Sequence, residues 1–183
     1  MGVSLSSAIA GEIGEYERMS TTVANAYVQP IVAAYVGKLR QRLRESGADA
    51  PLRIMVSSGG FTSDAVAAEV PIMILESGPA GGVLSGLNTA ALAGIPDVLT
   101  LDMGGTTAKA CVSTGGRPSI TYRFEAARAR RFKKGSGLPI MSPSIDLIEI
   151  GAGGGSIASK SRLGLLNVGP HSSGAVPGPA CYA

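Results

Sequence analysis

Leu99-Thr100-Leu101-Asp102-Met103-Gly104-Gly105-Thr106-Thr107 decides the fold. An apolar strand, Val98–Asp102, ends in a carboxylate. Two glycines and two hydroxyl residues turn the chain, and a second strand, Lys109–Ser113, follows. Such a hairpin is built to hold phosphate. Glycine lets backbone N–H groups approach phosphate oxygens with no Cβ in the way, and the Thr106 and Thr107 hydroxyls can donate as well. Asp102 is placed to hold Mg²⁺, through water, because Mg²⁺ gives up its hydration reluctantly. The competing reading is an ordinary hairpin with an aspartate at its bend. A Walker loop is excluded, since no Gly-Lys-Ser/Thr follows the glycines.

Downstream, Thr114-Gly115-Gly116 reads as a hairpin turn and Ile120–Phe124 as a third strand. A basic stretch then carries Arg123, Arg128, Arg130, Arg131, Lys133 and Lys134. Few aromatics accompany it and no recognition motif does, so it reads as a solvated connector and no nucleic-acid partner is expected. Ile145–Ile150 alternates apolar and acidic residues and runs into Gly151-Ala152-Gly153-Gly154-Gly155-Ser156. Glycines there would let backbone lie against a base or ribose; the alternative is a flexible loop. The spacing is not that of a Rossmann fingerprint. Ile157 to Val168 reads as a short hairpin, and Gly169–Ala183 is a tail rich in glycine and proline. His171 and Cys181 lie in that tail without metal-ligand spacing, and polar-loop and structural roles suit them better than catalytic ones.

Upstream, a helical pattern begins at Thr21, with Val28, Val32, Tyr35, Leu39 and Leu43 as one apolar stripe and Pro30 as a kink or a helix start. Leu52–Val56 reads as a short buried strand before the turn Ser57-Ser58-Gly59-Gly60. Ser63 caps a helix over Asp64–Glu69 that Pro71 closes, and Ile72–Leu75 reads as another strand. Glu76-Ser77-Gly78-Pro79-Ala80 turns into a helix from about Ala80 to Ala93, whose small residues permit close approach by a neighbour. Its N-terminus can face an anion or serve packing alone. Alternating helices and strands followed by hairpins predict an α/β fold with a mixed sheet and flanking helices, residues 1–52 forming a helical lead-in and 53–183 the body.

Composition agrees with this layout. Glycine supplies 26 of 183 residues, about twice its usual share, without the three-residue period of collagen. Hydrophobic residues make up 45%, enough for a core, so disorder is excluded. Ser77–Pro96 is uncharged, but its two prolines and five glycines suit a buried helix better than a membrane span. Two cysteines, Cys111 and Cys181, and no secretory leader point to free thiols in the cytoplasm.

The ordered set Glu76–Gly82, Asp102–Thr107, Gly151–Ser156 and Gly169–Tyr182 resembles the hydantoinase A/5-oxoprolinase family, which includes the ATP-using subunits of ketone carboxylases. Glu15-Tyr16-Glu17-Arg18, Ser20–Tyr27 and Ser57-Ser58-Gly59-Gly60 also match, so the resemblance covers nearly the whole chain. It implies one lobe of an actin, sugar-kinase and heat-shock-chaperone-like ATPase fold, with ATP bound in a cleft between two lobes. Asp102–Thr107 is then the second of two phosphate hairpins. Gly104, Gly105, Thr106 and Thr107 are expected at phosphate, Gly151, Gly153, Gly154, Gly155 and Ser156 at the nucleoside, and Asp102 at Mg²⁺. One departure is Lys109, which follows Thr107-Ala108 where the family often has an aspartate; it is expected to pair with phosphate or to mark altered metal use. The activity implied is ATP-dependent opening of a cyclic amide, with a hydantoinase B-like second subunit or domain as partner. Alternatives are the phosphorylating subunit of a ketone carboxylase and a non-catalytic assembly module. The chain is expected to be a central piece of a larger ATPase, inactive alone, with no catalytic residue assignable.

Overall fold

The computed structural model describes residues 3–126 and 135–179. In chain order the elements are α1 (Ser6–Ile9), α2 (Glu15–Glu45), β1 (Arg53–Met55), β2 (Phe61–Ser63), α3 (Asp64–Glu69), a 3-10 turn (Pro71–Ile74), α4 (Ser77–Leu92), β3 (Val98–Met103), β4 (Ala108–Thr114), β5 (Arg117–Pro118), β6 (Ile120–Ala126), β7 (Leu138–Ile145), β8 (Ile148–Ile150), β9 (Ser156–Lys160) and β10 (Leu166–Ser172). They fall into two compact units. One comprises Met1–Leu84 and Ile120–Ile145, the other Ser85–Ser119 and Asp146–Ala183. The α/β class expected from the sequence holds. Within it the strands form four small sheets, and every pairing among the described residues is antiparallel, where a single mixed sheet was expected.

In the first unit α2 is the spine. Glu15 and Glu17 in its first turn and Arg42 and Arg44 in its last complement the helix dipole. It starts before Thr21 and continues past Pro30, which neither begins nor ends it. Its inward face carries Thr21, Asn25 and Val36, all buried, with Val28, Val32, Leu39 and Leu43 half-buried. Tyr35, expected on that face, is exposed. The buried polar pair stitches three segments to the helix. Thr21 Oγ1 donates to the Glu17 carbonyl at 2.7 Å and accepts the Met141 N–H at 2.8 Å. Asn25 Oδ1 accepts the Ile72 N–H at 3.2 Å, while its Nδ2 donates to the Glu69 carbonyl and to Ser4 Oγ.

That network explains two differences from the sequence expectation. Ile72–Leu75 is no strand: Pro71 fixes the backbone, Asn25 takes the Ile72 amide, and a 3-10 turn results. Leu52–Val56 contains a strand, but β1 forms a half-exposed two-stranded hairpin with β2 around the Ser57–Gly60 turn. Ser57 itself is buried. Its amide donates to the Met73 carbonyl, its carbonyl accepts the Ile145 N–H, and its Oγ accepts the Glu76 N–H. The strand Ile120–Phe124 exists within β6, but it pairs with β7 rather than with the strand before the Gly-Gly turn. β7 buries Ile140, Met141 and Ile145 and supplies much of this core. The basic connector joins β6 to β7. Arg123 lies 3.9 Å from Glu17, and Arg128, Arg130, Arg131, Lys133 and Lys134 lie outside the described residues.

In the second unit β3 pairs with β4 from Val98↔Ser113 to Met103↔Ala108, and β8 pairs with the other edge of β4. Thr114↔Arg117 closes a two-residue turn in which Gly115 and Gly116 both have positive φ, the backbone that a type I′ hairpin requires. One sheet face packs closely on α4: a Cβ at Gly86 would lie 2.6 Å from Thr100 Cγ2. The other face carries Leu99, Leu101, Met103, Val112, Ile148 and Ile150, all exposed. The hairpin expected downstream of Gly155 is β9–β10. Among the described residues no helix is long and apolar enough to cross a membrane.

Candidate functional site

The register of β3 and β4 makes Gly104–Thr107 a four-residue hairpin loop, closed by the Gly104 N–H on the Thr107 carbonyl at 3.0 Å. Two distant loops pack against it, both from the same unit. The Gly154 and Gly155 amides donate to the Gly104 and Gly105 carbonyls at 2.9 and 2.8 Å. The Ser173 amide and hydroxyl both donate to the Gly155 carbonyl, at 2.8 and 3.1 Å. Three segments far apart in sequence thus converge backbone to backbone.

This packing gives the glycines a reason. A Cβ at Gly153 would meet the Gly104 carbonyl oxygen at 2.6 Å and the Thr106 backbone at 2.7 Å. At Gly155 it would lie 2.6 Å from the Gly174 carbonyl oxygen, and at Gly105 2.8 Å from that same oxygen. No side chain fits at these positions without moving backbone. The loop Gly151–Ser156 is also closed on itself, since the Gly153 amide donates to Ser156 Oγ and the Ser156 amide to the Gly153 carbonyl. Its four amides from Gly153 to Ser156 are therefore all engaged, and Gly154 alone of the three central glycines is exposed. In the hairpin loop Gly105 is buried, Thr107 half-buried and Thr106 exposed, with no backbone acceptor for the Gly105, Thr106 and Thr107 amides among the described residues.

The charged residues stand in a row beside this loop. Asp102 is directly opposite Lys109, and Lys109 is directly opposite Glu149 on β8. Residues opposite one another in an antiparallel ladder share a face, so the lysine sits between two carboxylates. Glu149 and the Ser173–Gly174 loop went unremarked as site elements in the sequence; both reach the hairpin only through pairings that no local pattern announces. His171 is exposed on β10, apart from any metal-binding group, and among the described residues no three of His, Cys, Asp and Glu cluster closely enough for one. Cys181 lies outside the described residues, and Cys111 is a buried free thiol. Glu76–Gly82 lies in the other unit, where the Glu76 amide is taken by Ser57 Oγ.

Residues 18–183 match the Hydantoinase/oxoprolinase family model. Caprolactamase subunit alpha of Pseudomonas jessenii is 40% identical over 171 residues, 93% of this chain and 23% of its own length. The 5-oxoprolinase of Saccharomyces cerevisiae is 35% identical across 98% of this chain and 13% of its own length, and the acetophenone carboxylase gamma subunit of Aromatoleum aromaticum 30% across 98% and 23%. The crystal structure of the ATP-dependent caprolactamase from Pseudomonas jessenii superposes with a TM-score of 0.75 at 38% identity, covering 98% of this chain and 25% of that one. The chain thus spans a quarter or less of the length of these relatives and has the fold of an ATPase-like α/β lobe. It belongs to the hydantoinase/oxoprolinase family.

Proposed function

We propose that the chain supplies one phosphate-binding lobe of an enzyme that uses ATP to open a cyclic amide such as a hydantoin or 5-oxoproline. The observation that carries this reading is the braced Gly104–Thr107 loop, with open amides beside an aspartate, in a chain 40% identical to a caprolactamase subunit. The Gly105–Thr107 amides and the two threonine hydroxyls face the phosphates, and Lys109 adds positive charge at the same strand end. Gly153–Ser156 offers surface to the nucleoside rather than donors, because the Gly154 and Gly155 amides brace the hairpin and the Gly153 and Ser156 amides close the loop on itself. Asp102 is a single exposed carboxylate. That suits a Mg²⁺ that arrives with nucleotide and keeps its waters, not one caged by protein alone. The metal would supply charge neutralisation at the phosphates.

The chemistry follows from the substrate. An unstrained ring amide is a poor electrophile. Transfer of the γ-phosphoryl group from ATP to its oxygen, with ADP leaving, makes the ring carbon electrophilic. A first water adds to that carbon, and the C–N bond breaks with the protonated nitrogen as leaving group to give an acyl phosphate. A second water releases phosphate and the ring-opened acid. The protein's share is positioning and charge stabilisation. A second reading, phosphorylation of a ketone for carboxylation, is favoured by the 30% identity to the acetophenone carboxylase subunit.

Two of the relatives are named as subunits, and the yeast 5-oxoprolinase is nearly twice as long as caprolactamase subunit alpha, judged by the share this chain covers. A hydantoinase B-like second subunit or fused domain is therefore the proposed partner, in the cytoplasm. Mass spectrometry of products from the natural-length protein, given a hydantoin or 5-oxoproline with Mg-ATP, should show the ring-opened acid with ADP and phosphate. A carboxylated ketone formed from ketone and bicarbonate instead selects the second reading. Calorimetry on the 183 residues should show Mg-ATP binding with little or no turnover. Robust turnover by this chain alone contradicts the two-lobe reading, and a folded chain that binds no nucleotide favours an assembly module.

A further inference from the structure

Resting on the phosphate-loop reading of Gly104–Thr107, we propose that Lys109 and Glu149 set the metal selectivity of this hairpin: they turn away a free divalent cation and admit one that arrives with nucleotide. The rung Met103↔Ala108 closes the loop. The next rung is Asp102↔Lys109, and Glu149 stands beyond the lysine on β8. Neighbouring strands lie about 4.7–4.9 Å apart, so the two carboxylates sit on strands about 10 Å apart with the lysine on the strand between them. Asp102 and Glu149 are exposed and Lys109 is half-buried. The other residues that β3, β4 and β8 place on this face, Val98, Thr100, Cys111 and Ser113, are uncharged. The row is therefore the only charge these three strands present there.

Two carboxylates and one ammonium leave one net negative charge beside the loop. Free Mg²⁺ is a dication. It meets the lysine as a like charge, and the lysine stands between the carboxylates that one ion would have to share. A lone exposed carboxylate holds Mg²⁺ weakly, because the ion keeps its waters. The complex of Mg²⁺ with ATP has the opposite sign, net negative, so the same ammonium attracts it. One side chain thus acts with opposite sign on the two forms of the metal. Glu149 tempers it from the far side. With a second anion to face, the ammonium does not neutralise Asp102 alone, and that carboxylate stays available to a water of the arriving metal. Each unit of charge in the row should change the preference for a dication about three- to tenfold at low ionic strength, and less as salt rises.

Three variants step the row through its charges. Lys109→Met leaves two negative charges, Glu149→Gln leaves none, and the two together restore one. Binding of Mn²⁺ alone to the 183-residue chain is read from the loss of the free-ion electron paramagnetic resonance signal. Lys109→Met should strengthen it about three- to tenfold, Glu149→Gln should weaken it, and the double variant should return to wild type. Calorimetry with ATP, in Mg²⁺ or in EDTA, gives the factor by which metal strengthens nucleotide binding. That factor should rise in Lys109→Met, even as the affinity for Mg-ATP falls, and should shrink in Glu149→Gln. Misfolding cannot mimic this result, since it weakens both ligands together, and Glu149→Gln alters an exposed side chain only. Equal Mn²⁺ affinities in all four proteins overturn the proposal, as does a double variant that keeps the Lys109→Met affinity. Either outcome, with Mg-ATP still bound by the wild type, leaves the phosphate-loop reading standing. A folded wild-type chain that binds no nucleotide overturns both.

Discussion

Gly153 shows how sharply the loop cluster constrains single residues. A Cβ there meets the Gly104 and Thr106 backbone at 2.6–2.7 Å, and backbone cannot step aside as a side-chain tip can. Gly153→Ala should therefore cost about 1–3 kcal/mol, the usual range for overpacking, read as a lower urea midpoint. Gly154→Ala, whose Cβ would only touch the Pro179 ring at 3.4 Å, should stay within about 0.5 kcal/mol. Asn25 is the polar counterpart. It satisfies the Ile72 amide from a fully buried position, so Asn25→Ala should cost about 1–3 kcal/mol by leaving that amide unpaired, while the Glu69 carbonyl keeps the Gln29 side-chain amide as donor. Asp64 is the residue with a clear pH signature. Desolvation raises its carboxyl, but the Arg40 side-chain hydrogen bond, the Ala65 amide and the Arg40 charge outweigh that and hold it below its ordinary 3.8. A depressed carboxyl contributes stability that is present above its ordinary value and is lost as pH falls through the lowered one. Urea midpoints of the wild-type chain should thus drop on acidification below about pH 4, and those of Asp64→Asn should drop less over the same window. Equal slopes for the two proteins would deny the ion pair a role.

At the scale of elements, α2 carries an internal weakness. Pro30 removes one helical hydrogen bond, leaving the Ala26 carbonyl without its donor, and the residue is exposed. Pro30→Ala should stabilise the chain by about 1–3 kcal/mol, below the full proline penalty because the surrounding helix is held by packing. A loss of stability instead would mean that Pro30 sits in a packed contact. The β3–β4 hairpin was legible because a glycine-rich turn lies next to the apolar runs it joins, and β9–β10 because Gly164 turns the chain between two short runs; such signals are local. The β6–β7 pair was not. Pro139 and Pro143 interrupt the strand pattern of β7, and its partner lies across a long basic segment, so neither periodicity nor turn chemistry reports the pairing. Thr21 and Asn25 were hidden for a different reason: a stripe found by apolar spacing passes over polar residues that are buried because their hydrogen bonds are complete. The candidate site was legible as two separate glycine clusters, Gly104–Gly105 and Gly151–Gly155, and the Ser173–Gly174 segment that joins them was not. Their convergence, and the use of Gly153 and Gly155 as contact points between loops, needed the long-range register of the strands.

For the whole molecule the question is how much apolar surface the 183 residues bury by themselves. Apolar side chains stay open on α2, Tyr27 and Ile31 among them, and across the sheet face of Leu99, Leu101, Met103, Val112, Ile148 and Ile150. In the caprolactamase relatives about three-quarters of the polypeptide lies outside the stretch this chain spans, which is the natural source of a cover for the sheet. The heat capacity of unfolding tests this directly, because it scales with the apolar area exposed on melting. A typical protein of this length gives about 2.2–2.7 kcal/mol/K at 12–15 cal/mol/K per residue. The isolated chain should fall clearly below that range in scanning calorimetry, and Leu101→Thr should leave both the value and the midpoint nearly unchanged, because this side chain is already 63% exposed. A heat capacity inside the typical range would mean that the sheet face is covered in solution by this chain itself, and a large loss of stability in Leu101→Thr would say the same.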